Sequence, residues 1–216
     1  MRILVACEYS GIVRDAFSRL GHDAWSCDIL PSESELTKAE NQHIQGNVLN
    51  ILCDNWDLMI GFPPCTYLSF VYTGKERYSI GRLQQKINAY QFFLNLWNAP
   101  IKHICLENPI GYLHTGLLPY TQIVEPYFFG DPYKKRTCLW LKNLPKLQST
   151  QTGLFGNGTI VEPTHLLVNG SSKNKPPKLP ELIKMFATGK EKSKFHIGIA
   201  NAMAEQWTEY LQHTTK

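Results

Sequence analysis

Short apolar runs alternate along this chain with segments whose apolar residues recur at helical spacing, and most runs stop at a polar, chemically capable side chain. Ile3 to Ala6 reads as a buried strand, followed by a turn at Ser10-Gly11. Ile12, Val13, Ala16, Phe17 and Leu20 then repeat with the helical period until Gly21 stops them. His22 to Cys27 reads as a second strand ending at Asp28. After a polar loop, Asp57 to Gly61 forms another. Phe62-Pro63-Pro64 forbids its continuation, because proline has no N–H for a ladder. Ile80, Leu83, Ile87, Tyr90, Leu94 and Trp97 make a long helical stripe, and Ile104-Cys105-Leu106 is the next strand, ending at Glu107. This order predicts an α/β fold, a Rossmann-like, doubly wound, mostly parallel sheet covered on both faces.

Ile123-Val124 and Thr137 to Leu141 add two strands across Gly130-Asp131-Pro132. Ile197, Ala200, Met203, Ala204, Trp207 and Leu211 fall on one stripe of a final helix. Between 143 and 192 the texture changes to Gly, Pro, Asn, Ser and Lys, with short apolar pieces such as Leu166-Leu167-Val168. The expected organisation is one domain of residues 1–142 plus 193–216, carrying a small irregular insertion at 143–192.

A hydrophobic fraction of 43% and an aromatic fraction of 12% suffice for a packed core and argue against global disorder. Lysine and arginine exceed the acids by 22 to 18. The resulting +4 is compatible with nucleic acid and equally with an ordinary soluble enzyme. Six cysteines form no CxxC pair and have no histidine cluster at zinc spacing, so no metal is expected. The apolar run after Met1 is too short for a signal peptide, and no run could span a bilayer. A soluble, cytoplasmic protein without membrane association is the expectation.

In open α/β sheets, functional groups gather at the carboxyl ends of strands. Here those ends carry Cys7-Glu8, Asp28, Pro63-Pro64-Cys65 and Glu107-Asn108-Pro109. An acid closing the second strand commonly holds the ribose hydroxyls of an adenosine-bearing cofactor, although Asp28 also reads as a solvated loop acid. Cys7, Cys27, Cys105 and Cys138 sit in apolar runs and read as inert core thiols. Cys65 differs, because two prolines stiffen the chain before it and Thr66, Tyr67 and Ser69 make its surroundings polar. Such a thiol can be exposed and can ionise; the rival reading is a Pro-Pro turn closed by a small residue. Glu107, at the end of an apolar strand, has the setting of a carboxyl able to act as an acid. A thiol and a protonatable carboxyl at neighbouring strand ends are what addition to a pyrimidine ring requires.

The run Asp57 to Ser69, with Pro63-Pro64-Cys65 at its centre, resembles the Pro-Pro-Cys catalytic motif of DNA cytosine-5 methyltransferases. Glu107-Asn108-Pro109 resembles that family's Glu-Asn-Val motif, at about the expected distance downstream. Either tripeptide alone is a weak signal; in this order, on successive strand ends, they are a specific one. The resemblance covers residues 1 to about 142, resumes near 193, and is strongest to the short, stand-alone enzymes of phages and prophages. It implies a class I S-adenosylmethionine-dependent methyltransferase fold in a bacterial or phage-infected cytoplasm, acting on cytosine in double-stranded DNA. Cys65 would attack carbon 6 of a flipped-out base, and Glu107 would bind its ring nitrogen 3 and exocyclic amine.

The same resemblance implies further roles. The family's basic motif on a later strand corresponds to Lys134-Lys135-Arg136, with Arg136 and then Lys134 as the cytosine contacts; the run also reads as a basic turn flanking a strand. The Gly-rich first motif appears as Cys7-Glu8-Tyr9-Ser10-Gly11, so Cys7, Glu8, Tyr9 and Gly11 would line the S-adenosylmethionine site, with Asp28, Asn47 and Pro63. Only one glycine remains in that turn, Asn47 stands where an Asp is usual, and the last motif's Asn is displaced in Gly198-Ile199-Ala200-Asn201. Ser69, Lys75, Arg77 and Arg82 lie on or beside the segment matching the family's mobile DNA-contacting loop. The insertion stands at the target-recognition region, and its lysines would give phosphate contacts without sequence information. Two other functions use the same residues differently: C5 modification of a free pyrimidine nucleotide, and a non-catalytic DNA-binding or decoy protein on this scaffold.

Overall fold

The computed structural model describes residues 1–34, 42–69, 79–111, 113, 118–151, 165–167, 183–185 and 195–214. At its centre is β1 (Arg2–Ala6), whose Ile3, Leu4, Val5 and Ala6 are fully buried, as a run without polar alternation requires of a strand covered on both faces. Parallel to it on one side lies β2 (Asp23–Asp28), which pairs onward with β3 (His43–Gln45). On the other side β4 (Leu58–Gly61) pairs with β1, and β5 (His103–Pro109) with β4, again in parallel. The sheet is completed by β6 (Gln122–Val124) and β8 (Thr137–Lys142), in the order β3-β2-β1-β4-β5-β8-β6. Strand order reverses between β1 and β4, so this is the doubly wound, Rossmann-like α/β sheet expected, with its crevice at the carboxyl ends of those two strands. In this sheet β5 pairs with β8 in antiparallel fashion.

That antiparallel pair changes one expectation. Rather than ending at Glu107, β5 continues to Pro109, because Glu107, Asn108 and Pro109 pair with Leu139, Cys138 and Thr137. Helix α1 (Ile12–Ser18) matches the predicted stripe and gives way to Gly21, at φ 80°. Helix α2 (Ile80–Trp97) also lies where predicted, but only the later part of its stripe, Tyr90 and Trp97, packs against the core. Ile80, Leu83 and Ile87 are exposed, while Phe93 and Leu96 are buried. Apolar periodicity located the helix and overestimated how much of it is covered, since only its later turns reach the core. There Phe93 meets Trp140 edge-on at 5.2 Å, and the Trp140 indole N–H donates to the Leu118 carbonyl at 2.8 Å.

Two compact units emerge, Met1–Ile123 with Thr137–Lys146, and Val124–Arg136 with Leu147–Lys216. The second contains β7 (Tyr133–Lys134), β9 (His165–Leu167) and β10 (Ile183–Met185) as a three-stranded parallel sheet, together with α3 (Ile197–Thr214). Ala200, Met203, Ala204, Trp207 and Leu211 of the predicted stripe are buried, whereas Ile197 is exposed. Gly198 admits no side chain because a Cβ would overlap the Phe129 carbonyl, and its N–H donates to Asp131 Oδ2 at 2.8 Å.

Candidate active site

The sheet register brings the two resembling motifs to adjacent strand ends. Gly61 of β4 pairs with Leu106 of β5, so the Phe62–Cys65 loop and Glu107 begin side by side. Gly61 is required there, since a Cβ would stand 2.7 Å from Leu106 Cδ2. The loop leaves the sheet with the Phe62 N–H donating to the Ala6 carbonyl at 2.9 Å. Pro63 is buried, Pro64 and Cys65 are exposed, and the Cys65 carbonyl accepts from the N–H groups of Leu68 and Ser69 at 3.0 Å each.

Two ties bind this loop to the end of β5 and the residues just beyond it. Asn108, 1% exposed, donates its side-chain N–H to the Pro63 carbonyl at 2.8 Å. Farther on, Ser69 bridges Gly111 in antiparallel fashion, an approach so close that a Cβ on Gly111 would overlap the Leu68 carbonyl. Glu107 is half-buried and accepts a hydrogen bond at Oε1 from the buried Thr137 hydroxyl at 2.7 Å. Read from the sequence, Asn108 has no role of its own within Glu107-Asn108-Pro109, and Thr137 has none beyond opening a strand. Asn108 had a usable signal, a polar residue inside an apolar strand-end motif. Thr137 had none, because its place depends on the antiparallel β5–β8 register.

The thiols divide as their surroundings demand. Cys27, Cys105 and Cys138 are buried, and Cys7 is half-buried. Burial pushes Cys7 and Cys138 up to about 12 and Cys27 up to about 11; Cys105 rises well above 9.0. The charges of Asp28 (on Cys7 and Cys27) and Glu107 (on Cys105 and Cys138) add to the burial effect. None of these four offers a thiolate at neutral pH. Cys65 is exposed on its proline-stiffened loop.

The first-motif turn is built unlike a glycine-rich loop. Cys7 ends β1 at φ 59°, a conformation costly for a residue with a Cβ, and the Glu8 N–H then donates to the Cys27 carbonyl at 3.2 Å. Glu8 is 4% exposed and turns inward, accepting from the Val13 N–H at 2.7 Å and the Arg14 N–H at 3.2 Å. It caps α1, whose N-cap residue, Gly11 at φ 76°, has no side chain to do so. Burial raises the Glu8 carboxyl to about 7, against the lowering effect of those N–H groups and of Arg14. Arg14 is fully buried, 2.6 Å from Asp15 and 3.1 Å from the Ser26 hydroxyl, which meets His43 Nδ1 at 2.9 Å. The backbone carbonyl of Tyr9 accepts from the Glu33 N–H at 2.8 Å.

Asp28 ends β2, and its Oδ1 accepts from the Leu30 N–H at 2.9 Å. Asn47 is exposed and its Oδ1 accepts from the Leu49 N–H at 3.0 Å, capping the short 3-10 turn Val48–Asn50. Cys7, Tyr9, Gly11, Asp28 and Pro63 thus stand at or just past the carboxyl ends of β1, β2 and β4, around the switch in strand order; Asn47 follows β3. In the second unit Arg136 is exposed, with Nε 3.6 Å from Glu125 Oε1, and Lys134 lies in β7. Arg82 is in the first turn of α2, whereas Lys75 and Arg77 fall outside the described residues, as does most of the segment 143–192. Among the described residues no group of three or more His, Cys, Asp or Glu is placed to hold a metal ion, and no helix is long and apolar enough to cross a membrane.

No protein-family model matches the chain, and no curated protein matches it. Among solved structures it resembles a protein described as a DNA modification methyltransferase encoded within a prophage of E. coli, at 15% identity and a TM-score of 0.41, over 64% of this chain and 45% of that one. The Dnmt2 methyltransferase of S. pombe matches at 19% identity and a TM-score of 0.43, over 68% and 51% respectively. The Entamoeba histolytica methyltransferase EhMeth matches at 15% and 0.44, over 73% and 57%. The chain spans about half the length of the solved proteins it resembles.

Proposed function

We propose that this chain is an S-adenosylmethionine-dependent methyltransferase that modifies carbon 5 of cytosine in double-stranded DNA through a covalent adduct on Cys65. One observation carries the reading. The exposed Cys65 follows a Pro-Pro turn whose Pro63 carbonyl is held by Asn108, the residue next to Glu107. Nucleophile and acid are thereby set at the ends of paired strands, where an α/β sheet presents its chemistry.

The residues around the switch point suit a nucleoside cofactor. Asp28 can accept from ribose hydroxyls, and exposed Asn47 can accept from or donate to an adenine edge. The turn of Cys7, Tyr9 and Gly11 would border it, shaped by Glu8 from below, with Pro63 as the wall toward the base. When bound, S-adenosylmethionine would supply an electrophilic methyl group.

The protein's part follows from Cys65 and Glu107. The Cys65 thiolate donates an electron pair to carbon 6, forming a sulfur–carbon bond as the carbon 5–carbon 6 π pair moves to carbon 5. Glu107 shares its proton with ring nitrogen 3, which accepts the developing negative charge. After carbon 5 gains the methyl group, its original proton leaves to solvent. The freed pair restores the double bond, expels the Cys65 thiolate, and the nitrogen 3 proton returns to Glu107. Ser69, Lys75, Arg77 and Arg82 would contact DNA, and Arg136 or Lys134 the base's carbonyl oxygen.

Bisulfite sequencing of DNA from cells expressing the chain tests this. Conversion-resistant cytosines are expected with the native sequence and absent with Cys65→Ala. With Glu107→Gln they should fall by two orders of magnitude in rate, the range of a positioned acid. Full conversion with the native chain, or resistance that survives Cys65→Ala, overturns the proposal.

A further inference from the structure

Thr137 opens β8 opposite Pro109, two residues beyond Glu107 on β5, so the Thr137 and Glu107 side chains share one face of the antiparallel pair. The hydroxyl is 4% exposed and donates to Glu107 Oε1 at 2.7 Å. Sequence attention falls on the basic run just before it; a residue that engages Glu107 is the threonine that follows.

Resting on the reading of Glu107 as the acid at nitrogen 3, we propose that Thr137 is a positioning residue that fixes the Glu107 carboxyl through both of its protonation states. The chemistry of the hydroxyl is the reason. Glu107 must hold a proton, share it with the base, and take it back. A cationic partner would favour the carboxylate alone, and an anionic partner the acid alone. A hydroxyl donates to a carboxylate and, by rotating, accepts from a carboxylic acid, so it keeps the carboxyl plane fixed in both states while bonding the charged one more strongly. Burial of the Thr137 hydroxyl keeps water from competing for it. Cys105 on β5 and Cys138 on β8 feel the Glu107 charge, and burial keeps both thiols protonated.

The test uses the full chain with Thr137→Val, which keeps the β-branched shape and loses the hydroxyl, and Thr137→Ser, which keeps the hydroxyl. With saturating DNA and S-adenosylmethionine, Thr137→Val should lower kcat at least tenfold at little change in KM, and Thr137→Ser should restore most of it. On a Glu107→Gln background Thr137→Val should add nothing. A carbon-13 titration of the Glu107 carboxyl gives a readout independent of turnover. Its midpoint should move up in Thr137→Val, where the carboxylate has lost a donor, and stay native-like in Thr137→Ser. Native-like kcat and midpoint in Thr137→Val, or equal loss in the Ser and Val variants, overturns the assignment of Thr137. An inactive native chain with the midpoint still shifted by Thr137→Val sinks the methyltransferase reading and leaves the Thr137–Glu107 pairing standing.

Discussion

The Asn108 side chain, buried beneath the catalytic-motif loop, donates to the Pro63 carbonyl at 2.8 Å and so makes the segment after β4 depend on a residue of β5. Pro63 has no N–H of its own for a ladder, and the donor that its buried carbonyl needs is supplied by the Asn108 side chain. Asn108→Ala should leave a buried carbonyl unsatisfied, at about 1–3 kcal/mol. The loop bearing Cys65 should loosen as well. A lowered melting temperature is therefore expected, together with a changed rate of Cys65 alkylation by iodoacetamide in the folded protein. Asn108→Asp should be worse, since an ionised carboxylate cannot donate to the carbonyl and adds a buried charge. Unchanged alkylation kinetics in both variants would show that the bond does not govern the nucleophile's loop.

Burial sorts the six cysteines before any reaction is considered. Native labelling with a maleimide near neutral pH should modify Cys65 and Cys53, the two exposed thiols. Cys7, Cys27, Cys105 and Cys138 should react only after denaturation, because burial holds their protons on. Peptide mass spectrometry reads this directly. In the same series Cys65→Ser should abolish methylation without shifting the melting temperature, and Cys138→Ser should retain it. Rapid native labelling of Cys105 or Cys138 would contradict the packing of β5 against β8.

The sequence made the sheet legible because its strands are short apolar runs that end at punctuation: Asp28, Pro63-Pro64, the turn after Ala6. What it could not show is pairing between distant residues. The antiparallel entry of β8 beside β5 extends β5 through Pro109 and brings Thr137 to Glu107, thirty positions away in the chain. Periodicity likewise found α2 but not how much of it is covered, because Ile80, Leu83 and Ile87 fit the stripe and yet are exposed, while Tyr90 and Trp97 pack on the core. A helix pattern gives spacing; only its neighbours decide which face is covered. Glu8 shows the same limit, since next to Tyr9-Ser10-Gly11 it reads as a cofactor contact, and its inward turn follows from the four N–H groups that α1 leaves unsatisfied.

That inward turn gives stability a pH dependence whose sign can be worked out. Burial raises the Glu8 carboxyl from 4.5 to about 7 in the folded chain, so between those values the folded state holds a proton that the unfolded state has released. Glu8's contribution to stability is then complete below about pH 4.5 and is lost as pH rises through 7. Over the whole window the loss is on the order of 3 kcal/mol as an upper figure, or roughly 5–10 °C in melting temperature for a chain of this length. Glu8→Gln keeps one oxygen, able to accept from Val13, loses the acceptor for Arg14 and cannot ionise, so its melting temperature starts lower but should lack this decline. His196, which burial and Lys135 lower to about 4, works in the opposite sense between that value and 6.5, because there the unfolded state binds the extra proton. It is present in both proteins and cancels in their difference. Calorimetric scans of native and Glu8→Gln chains from pH 5 to 8 should therefore diverge, the variant gaining on the native protein as pH rises. Parallel curves would mean that Glu8 is already ionised throughout that range in the folded chain, with Arg14 and the α1 N–H groups outweighing its burial.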